Sequence, residues 1–374
     1  VADHPGHDFR SFDRDLYTGN LYVDTEHDDG LIKVLKQIYL IIRILIFGFI
    51  VLGSACRFKS EKTYLIKVGQ GQTVGEPQVR SMDLFKEIVE EKTEGKVRVE
   101  VYPNNQLGNQ RDVTEGIQLG TIQMASISSP MAGFVPESNL FELPFLFENR
   151  DHFYAVLDSE IGESLRPAFE RRGFILLGYF DVGVRHIMTV SHPIRLFGDM
   201  EGLKIRTMEN PVHLDAFRVF GANPIPMAYG ELYTALEQGV IDGAEAANTN
   251  YYAKKFYEPA PNWAQVGWIH LVEYVIMSRY FFERLPDEYK KIIEDAARTI
   301  IAQERSWYSA NDIKFLEALK EEGVQVTYPE RAPFREASQK VYQAWADKVG
   351  GMDLIDKILN FAYRSIDSKA NSKQ

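Results

Sequence analysis

Apolar and polar positions along this chain alternate in some stretches and recur at the helical period in others, so strands and helices are predicted in turn. Tyr64-Leu65-Ile66-Lys67-Val68 reads as a strand that runs into a glycine-rich turn, Gly69 to Gly75. Val79, Met82, Phe85, Ile88 and Val89 fall at helical spacing, which predicts a helix over 77–93. Val97-Arg98-Val99-Glu100-Val101-Tyr102 alternates cleanly as a second strand. A helix over Asp112–Leu119, ended by Gly120, and a third strand over Ile122–Ser126 follow. This β-α-β-α-β opening is half of a doubly wound sheet, whose ligands sit at the carboxyl ends of the strands. Further on, 178–190 reads as extended, Ile205 lies in a short strand, and 212–220 and 229–238 look helical. A long amphipathic pattern fills 286–321, and one uninterrupted helix near 286–310 is long enough to bridge two lobes. Residues 323–327 form a short strand, and 335 to about 363 adds more helix. The class is α/β.

Length and charge narrow the picture. The 374 residues have room for two domains, and the net charge of −11 argues against a nucleic-acid partner, which asks for a basic face. A small positive pocket remains compatible with an acidic chain. Near the amino end, Lys33, Lys36 and Arg43 precede the apolar run Ile44–Leu52, then Gly53-Ser54-Ala55 and the chain's one cysteine, Cys56. A basic segment, a short apolar core and small residues compose a bacterial export signal. The run is too short for a membrane span, which needs about 20 apolar residues. A cysteine directly after small residues resembles the lipoprotein signal, in which that cysteine is lipidated and becomes the first mature residue. Gly53, where that signal usually has Leu, departs from it. Cleavage near Ala55 without lipid, and an uncleaved anchor, are the alternatives. Residues 1–56 are thus set apart as an amino-terminal extension plus lipoprotein-type signal. The remainder holds 45 acidic and 37 basic residues, a net −8, and forms a mildly acidic soluble protein without disulfides.

Enzyme signatures are poor. The sequence has no P-loop, no Gly-x-Ser-x-Gly elbow and no His-Glu-x-x-His, and its eight histidines lack ligand spacing, so neither metal nor cofactor is expected. Asp242 and Glu245 read as capping or hydrogen-bonding residues before they read as an acid/base pair. Arg185 and Arg206, each after a short apolar or glycine-containing run, suit capture of a carboxylate, because the guanidinium fork bonds both oxygens and stays charged when buried. Surface or ion-pair arginines are the plainer reading of the same residues.

Six stretches occur together. Gln106-Leu107-Gly108, Glu142-Leu143-Pro144-Phe145-Leu146-Phe147, Gly183-x-Arg185, Gly202-Leu203-Lys204-Ile205-Arg206, Glu231-Leu232-Tyr233-Thr234-Ala235-Leu236 and Val240-Ile241-Asp242-Gly243-Ala244-Glu245 stand in this order. In that order they resemble the solute-binding proteins of the tripartite ATP-independent periplasmic (TRAP) transporters, of the dicarboxylate-receptor (DctP) type. The resemblance runs from about Lys62 to about Lys348. It implies a two-lobed periplasmic-binding-protein-like fold with a hinge, a ligand cleft between the lobes and a long lobe-bridging helix. Lobe one would hold 62–183 and 272–311, and lobe two 184–271 and 312–365, rather than a single continuous sheet. The crossing near Val182–Arg185 and the helix after 286 would form the hinge.

The resemblance also implies a site. Arg206 matches the arginine that grips the ligand carboxylate with both arms, and Arg185 a second arginine that supports it. Glu245 closes the family's Asp-Gly-x-Glu stretch. Where the family commonly has Asn directly after it, this chain has Ala246, so Asn248 or Asn250 would supply the amide, with Tyr251 close in sequence. From the amino-terminal lobe, Glu76, Ser128 and Ser129 are candidate contacts. Glu76 suits ligand hydroxyls or an ammonium and opposes a second carboxylate; a helix-terminus charge is its plainer role. An open cleft would leave Arg206 hydrated, so its removal would barely touch folding.

The implied activity is binding, with no catalytic residue. A small organic acid, a sugar acid such as a hexuronate or aldonate before a C4-dicarboxylate or another oxo or hydroxy acid, would be delivered to TRAP permease subunits. The receptor would be a monomer in the periplasm or on the outer face of a bacterial membrane, held only by its lipid. A sensing receptor of the same fold and, less favoured, an envelope enzyme acting on an acid are the rival readings.

Overall fold

The computed structural model describes residues 28–55 and 62–362, and the chain divides into two units at Glu61/Lys62. In the first unit, the segment read as an export signal is a helix, α1 (Asp28–Ala55), whose Leu31 and Leu45 are exposed. Residues 1–27 and Cys56, the expected lipidation site, lie outside the described residues. Among the described residues no helix is long and apolar enough to cross a membrane.

The second unit opens as its pattern predicts. β1 (Tyr64–Gly69), α2 (Pro77–Lys92), β2 (Val97–Tyr102), α3 (Gln110–Leu119) and β3 (Met124–Ile127) follow one another, and β1 pairs in parallel with both β2 and β3. Pro77 starts α2 with its fixed φ, and Gly120 at φ 79° ends α3. Three short helices, α4 (Arg150–Leu157), α5 (Glu160–Glu163) and α6 (Arg166–Arg171), lead into the long strand β4 (Phe174–Thr189). Then come β5 (Lys204–Thr207), α7 (Pro211–Val219), β6 (Asn223–Pro226), α8 (Leu232–Glu237), β7 (Gly243–Ala246) and α9 (Asn248–Ala253). A second long strand, β8 (Asn262–Ser278), precedes α10 (Arg279–Glu283), the 35-residue α11 (Asp287–Glu321), β9 (Gln325–Thr327), α12 (Ala332–Trp345) and α13 (Met352–Leu359).

The strands hydrogen-bond into one connected ladder, β2-β1-β3-β8-β4-β7-β5-β6, with β9 on β8. This corrects the expectation that the two halves would not share a continuous sheet. The reason is length: β4 has 16 residues and β8 has 17, enough for each to run through both halves. The carboxyl end of β8 pairs with β3 and its amino end with β9, while the far end of β4 pairs with β7. Between these ends the β4–β8 ladder slips register, at Asp181/Val184 and again at Arg185/Ile187. Such slips bend a strand and strengthen its twist.

The helix α11 ties the halves together. Its Ile293, Ala297 and Ile300 pack with Met82 and Phe85 of α2, while its Leu319 packs with Tyr251 and Trp263 near α9. Each fully buried large apolar side chain of this kind contributes about 1.5–3 kcal/mol.

The bend in β4 is held from several sides. Asp181 N–H donates to Glu304 of α11 at 3.0 Å, and its carboxylate receives Arg150 at 2.9 Å and the Tyr154 hydroxyl at 2.6 Å. Tyr308 of α11 donates to Val182 O at 2.8 Å. Gly183, at φ 81°, passes so close beneath that a Cβ would lie 2.7 Å from Tyr308 Cε1 and 2.8 Å from the Ala247 methyl. The Gly183-x-Arg185 stretch is therefore a steric requirement: only glycine lets the strand bend here and turn Arg185 inward. Gly183→Ala is expected to cost about 2–4 kcal/mol in urea unfolding, from left-handed backbone plus overpacking. Wild-type stability in this variant would contradict the packing described.

Candidate functional site

Three neighbouring strands build the centre of the site. In the order β4-β7-β5, the middle strand carries Glu245 and its neighbours carry Arg185 and Arg206. Gly243 lets β7 enter this position, since a Cβ there would meet Met188 O at 2.2 Å. Asp242 pins the same register by accepting from Lys204 N–H at 2.8 Å, the hydrogen-bonding role read from the sequence. Glu245 Oε2 receives Arg185 Nε at 2.7 Å, and Glu245 Oε1 receives an Arg206 terminal nitrogen at 3.3 Å. Both arginines and the glutamate are buried. Arg206 also donates twice to Met227 O, at 3.0 and 2.7 Å, and Arg185 reaches Asn250 Oδ1 at 3.4 Å.

Two guanidiniums thus share one carboxylate. Burial works against the charge of each. For Arg185 burial is the largest single influence, but the charge and hydrogen bond of Glu245, with Tyr308 and Tyr229, together outweigh it and the pKa rises; for Arg206 burial, aided by repulsion from Arg185, wins and its pKa falls. Arginine stays charged in either case. The local surplus of positive charge is what a ligand carboxylate would relieve.

Arg185 borders a cavity whose other walls include Gln72, Glu76, Gln78, Gln110, Ser128, Tyr229, Asn250 and Tyr308. Arg206 borders a second small cavity beside it, and the two share Gln110, Met208 and Tyr229 as walls. The space is tight: about 20 Å³ at Arg185, on a measure by which one water needs roughly 10–15 Å³. A sugar-sized ligand enters only if these walls part. Among the described residues Gln72 Oε1 and Gln78 Oε1 are buried with no hydrogen-bond donor. Glu76 precedes α2, where its carboxylate accepts from Thr73 N–H at 2.7 Å and from the Thr73 hydroxyl. Burial raises the Glu76 carboxyl above its ordinary value, against the Thr73 hydrogen bonds and Lys254. Behind this wall Gln72 donates to Glu273 of β8 at 2.8 Å.

The residues named from the sequence separate into two groups. Arg185, Glu76, Ser128 and Asn250 meet at one cavity, Arg206 borders its neighbour, and Glu245 joins the arginines. Ser129, Asn248 and Tyr251 do not line either cavity. Ser129 donates to Glu142 at 2.8 Å, and Glu142 lies 2.7 Å from His213 Nε2. Asn248 accepts from Trp263 Nε1 at 2.8 Å, and Tyr251 stacks on Trp263 at 4.1 Å while donating to Ala260 O. With Ala246 buried at the end of β7, Asn250 is the amide that reaches Arg185. Arg206 is buried and bonded within its own strands, which corrects the expectation of a hydrated side chain. Gln72, Gln78, Gln110, Tyr229 and Tyr308 were not legible beforehand. The polar, glycine-rich turn after β1 was the one signal that could have found Gln72.

A larger groove of about 570 Å³ lies elsewhere, bordered by Arg166, Arg298, Arg305 and Tyr179. Its arginines are matched one for one, with Glu163, Asp295 and Asp158, so it offers no comparable surplus of charge.

A family model of bacterial extracellular solute-binding proteins, family 7 (DctP), matches residues 68–348, so the chain belongs to this family of TRAP solute-binding proteins. A solute-binding protein of Verminephrobacter eiseniae is 35% identical over 247 residues, 66% of this chain and 74% of the relative. A TRAP periplasmic solute-binding protein from a Polaromonas species, solved bound to D-erythronate, is 30% identical with a TM-score of 0.78, covering 81% of this chain and 99% of that one. One from a Sulfitobacter species, solved with β-D-galacturonate, is 29% identical with a TM-score of 0.77, covering 80% and 100%. The fold is the two-lobed fold of these periplasmic binding proteins, and the relatives are transport proteins that carry solutes, not enzymes.

The wall behind the cavity carries a measurable pH signature. Burial pushes the Glu273 carboxyl up to about 7, against hydrogen bonds from Gln72 and Ser126. A folded pKa above the unfolded one gives stability that is full below about 4.5 and is lost as pH rises through about 7. Glu273→Gln removes this slope, so wild type should fall relative to the variant by up to about 3 kcal/mol between those limits. Urea unfolding at a series of pH values reads it, and parallel curves for the two proteins would contradict it.

Proposed function

We propose that this chain is the extracytoplasmic receptor of a TRAP transporter for a sugar acid, a hexuronate or an aldonate, which it hands to an ion-gradient-driven permease. One observation carries the reading. Two buried guanidiniums share a single carboxylate, beside a wall whose amide oxygens Gln72 Oε1 and Gln78 Oε1, without a donor among the described residues, can only accept hydrogen bonds. A ligand carboxylate answers the first feature and ligand hydroxyls answer the second. A C4-dicarboxylate such as succinate lacks those donors. The relatives bound to erythronate and galacturonate support the same class.

Binding would work by closure. Lobe one, 62–183 with 272–311, brings Gln72, Glu76, Gln78 and Ser128. Lobe two, 184–271 with 312–365, brings both arginines, Glu245, Tyr229 and Asn250. The bend at Val182–Arg185 and α11 act as the hinge, and closure excludes water from the ion pair, which strengthens it. The mature receptor works as a monomer, tethered through acylated Cys56.

Titration of galacturonate into the purified protein tests the site. Arg206→Lys keeps the charge and loses the fork, and affinity should fall by about tenfold or more. Arg206→Ala should also lower stability by about 1–3 kcal/mol, because Met227 O loses its donors and Glu245 one of its two arginines. Unchanged affinity in Arg206→Lys would overturn the assignment. For the anchor, labelled palmitate should enter wild-type protein expressed in bacteria and not Cys56→Ser. Failure to label the wild type would replace lipidation with simple export.

A further inference from the structure

We propose that Glu76 makes this site selective for acids with a single carboxylate, an inference that rests on the sugar-acid reading above. Glu76 stands on the same cavity as Arg185 but on the opposite element, the turn before α2, while the arginines come from β4 and β5. The cations and the acceptors are thus supplied by different elements. Glu76 is buried, and its carboxylate accepts from the N–H and hydroxyl of Thr73. Beside it, Gln72 Oε1 and Gln78 Oε1 lack donors among the described residues, and Glu273 stands behind Gln72 with a second buried carboxyl.

A ligand that places its carboxylate on the arginines turns its far end toward this wall. Hydroxyl groups there donate to Glu76 and to the two amide oxygens. A second carboxylate there brings no donor, strips water from three acceptors and meets the Glu76 charge in a buried space. Lys254 is a cation whose charge acts on Glu76, but it does not border the cavity. Its ammonium lies 5.6 Å from the Tyr229 ring and donates to Asn104 at 3.3 Å. Glu245 cannot make the distinction, since it is already spent on the two arginines.

The test titrates two six-carbon acids into wild type and Glu76→Gln: galacturonate, whose C1 is a hydroxyl-bearing ring carbon, and galactarate, an open chain with a carboxylate there. The change in their ratio between the two proteins reads the Glu76 charge apart from the difference in shape. The amide keeps an oxygen for Thr73 N–H and removes the charge. Wild type should bind galacturonate at least about tenfold more tightly than galactarate. Glu76→Gln should close that gap by about tenfold, mostly by gaining galactarate, while galacturonate moves by no more than about threefold. A merely structural role for Glu76 would weaken both acids together and leave the ratio unchanged, and that result overturns the inference while leaving the sugar-acid reading intact. Galactarate bound as tightly as galacturonate by wild type, with Lys254→Ala abolishing it, would also overturn it and would assign the far end to Lys254. If wild type binds neither acid, the sugar-acid reading itself fails and takes this inference with it.

Discussion

The structure turns on one ion cluster, the carboxylate of Glu245 shared between Arg185 and Arg206. Burying two cations with one anion is costly unless a further anion arrives, so the arrangement makes sense as half of a binding site. Everything around it serves that geometry. The strand order β4-β7-β5 sets the glutamate between the arginines, Gly243 lets the middle strand approach, and Gly183 bends β4 so that Arg185 faces inward. Met227 O fixes the plane of the Arg206 guanidinium from the other side.

The opposite wall has the complementary chemistry. Its side chains present acceptors, held in place by Thr73, Glu273 and the backbone of Asp181. Because the bend of β4 and the helix α11 are gripped by the same residues, among them Asp181, Glu304 and Tyr308, the wall, the arginines and the crossing strand are mechanically linked. A ligand that draws the two walls together therefore acts directly on the bend.

Much of this was legible in the sequence, for physical reasons. The alternation of Val97–Tyr102 and the helical spacing of 77–93 gave those elements nearly to the residue, because each has one buried and one exposed face. β8 carries no such mark: it is buried along almost its whole length, so its apolar run has no period, and the strand that joins the halves went unassigned. The same limit explains the site. Arg185 and Arg206 stood out because each follows a short apolar or glycine-containing run and stands where the resembled family has its carboxylate-binding arginines. Gln72, Gln78 and Tyr229 are ordinary surface types whose burial appears only once the chain is folded. Ser129, Asn248 and Tyr251 lie off the two cavities for the converse reason. Each is polar and close in sequence to the site, yet each is spent on a neighbour in the core.

The most direct test is a crystal structure of the protein grown with galacturonate. The sugar's carboxylate should lie within about 3 Å of the Arg206 guanidinium and in reach of Arg185, with Glu245 still between the arginines and the sugar hydroxyls on Gln72, Glu76 and Gln78. A carboxylate bound at the Glu76 end, or a ligand seated in the groove at Arg166 and Arg298, would contradict it.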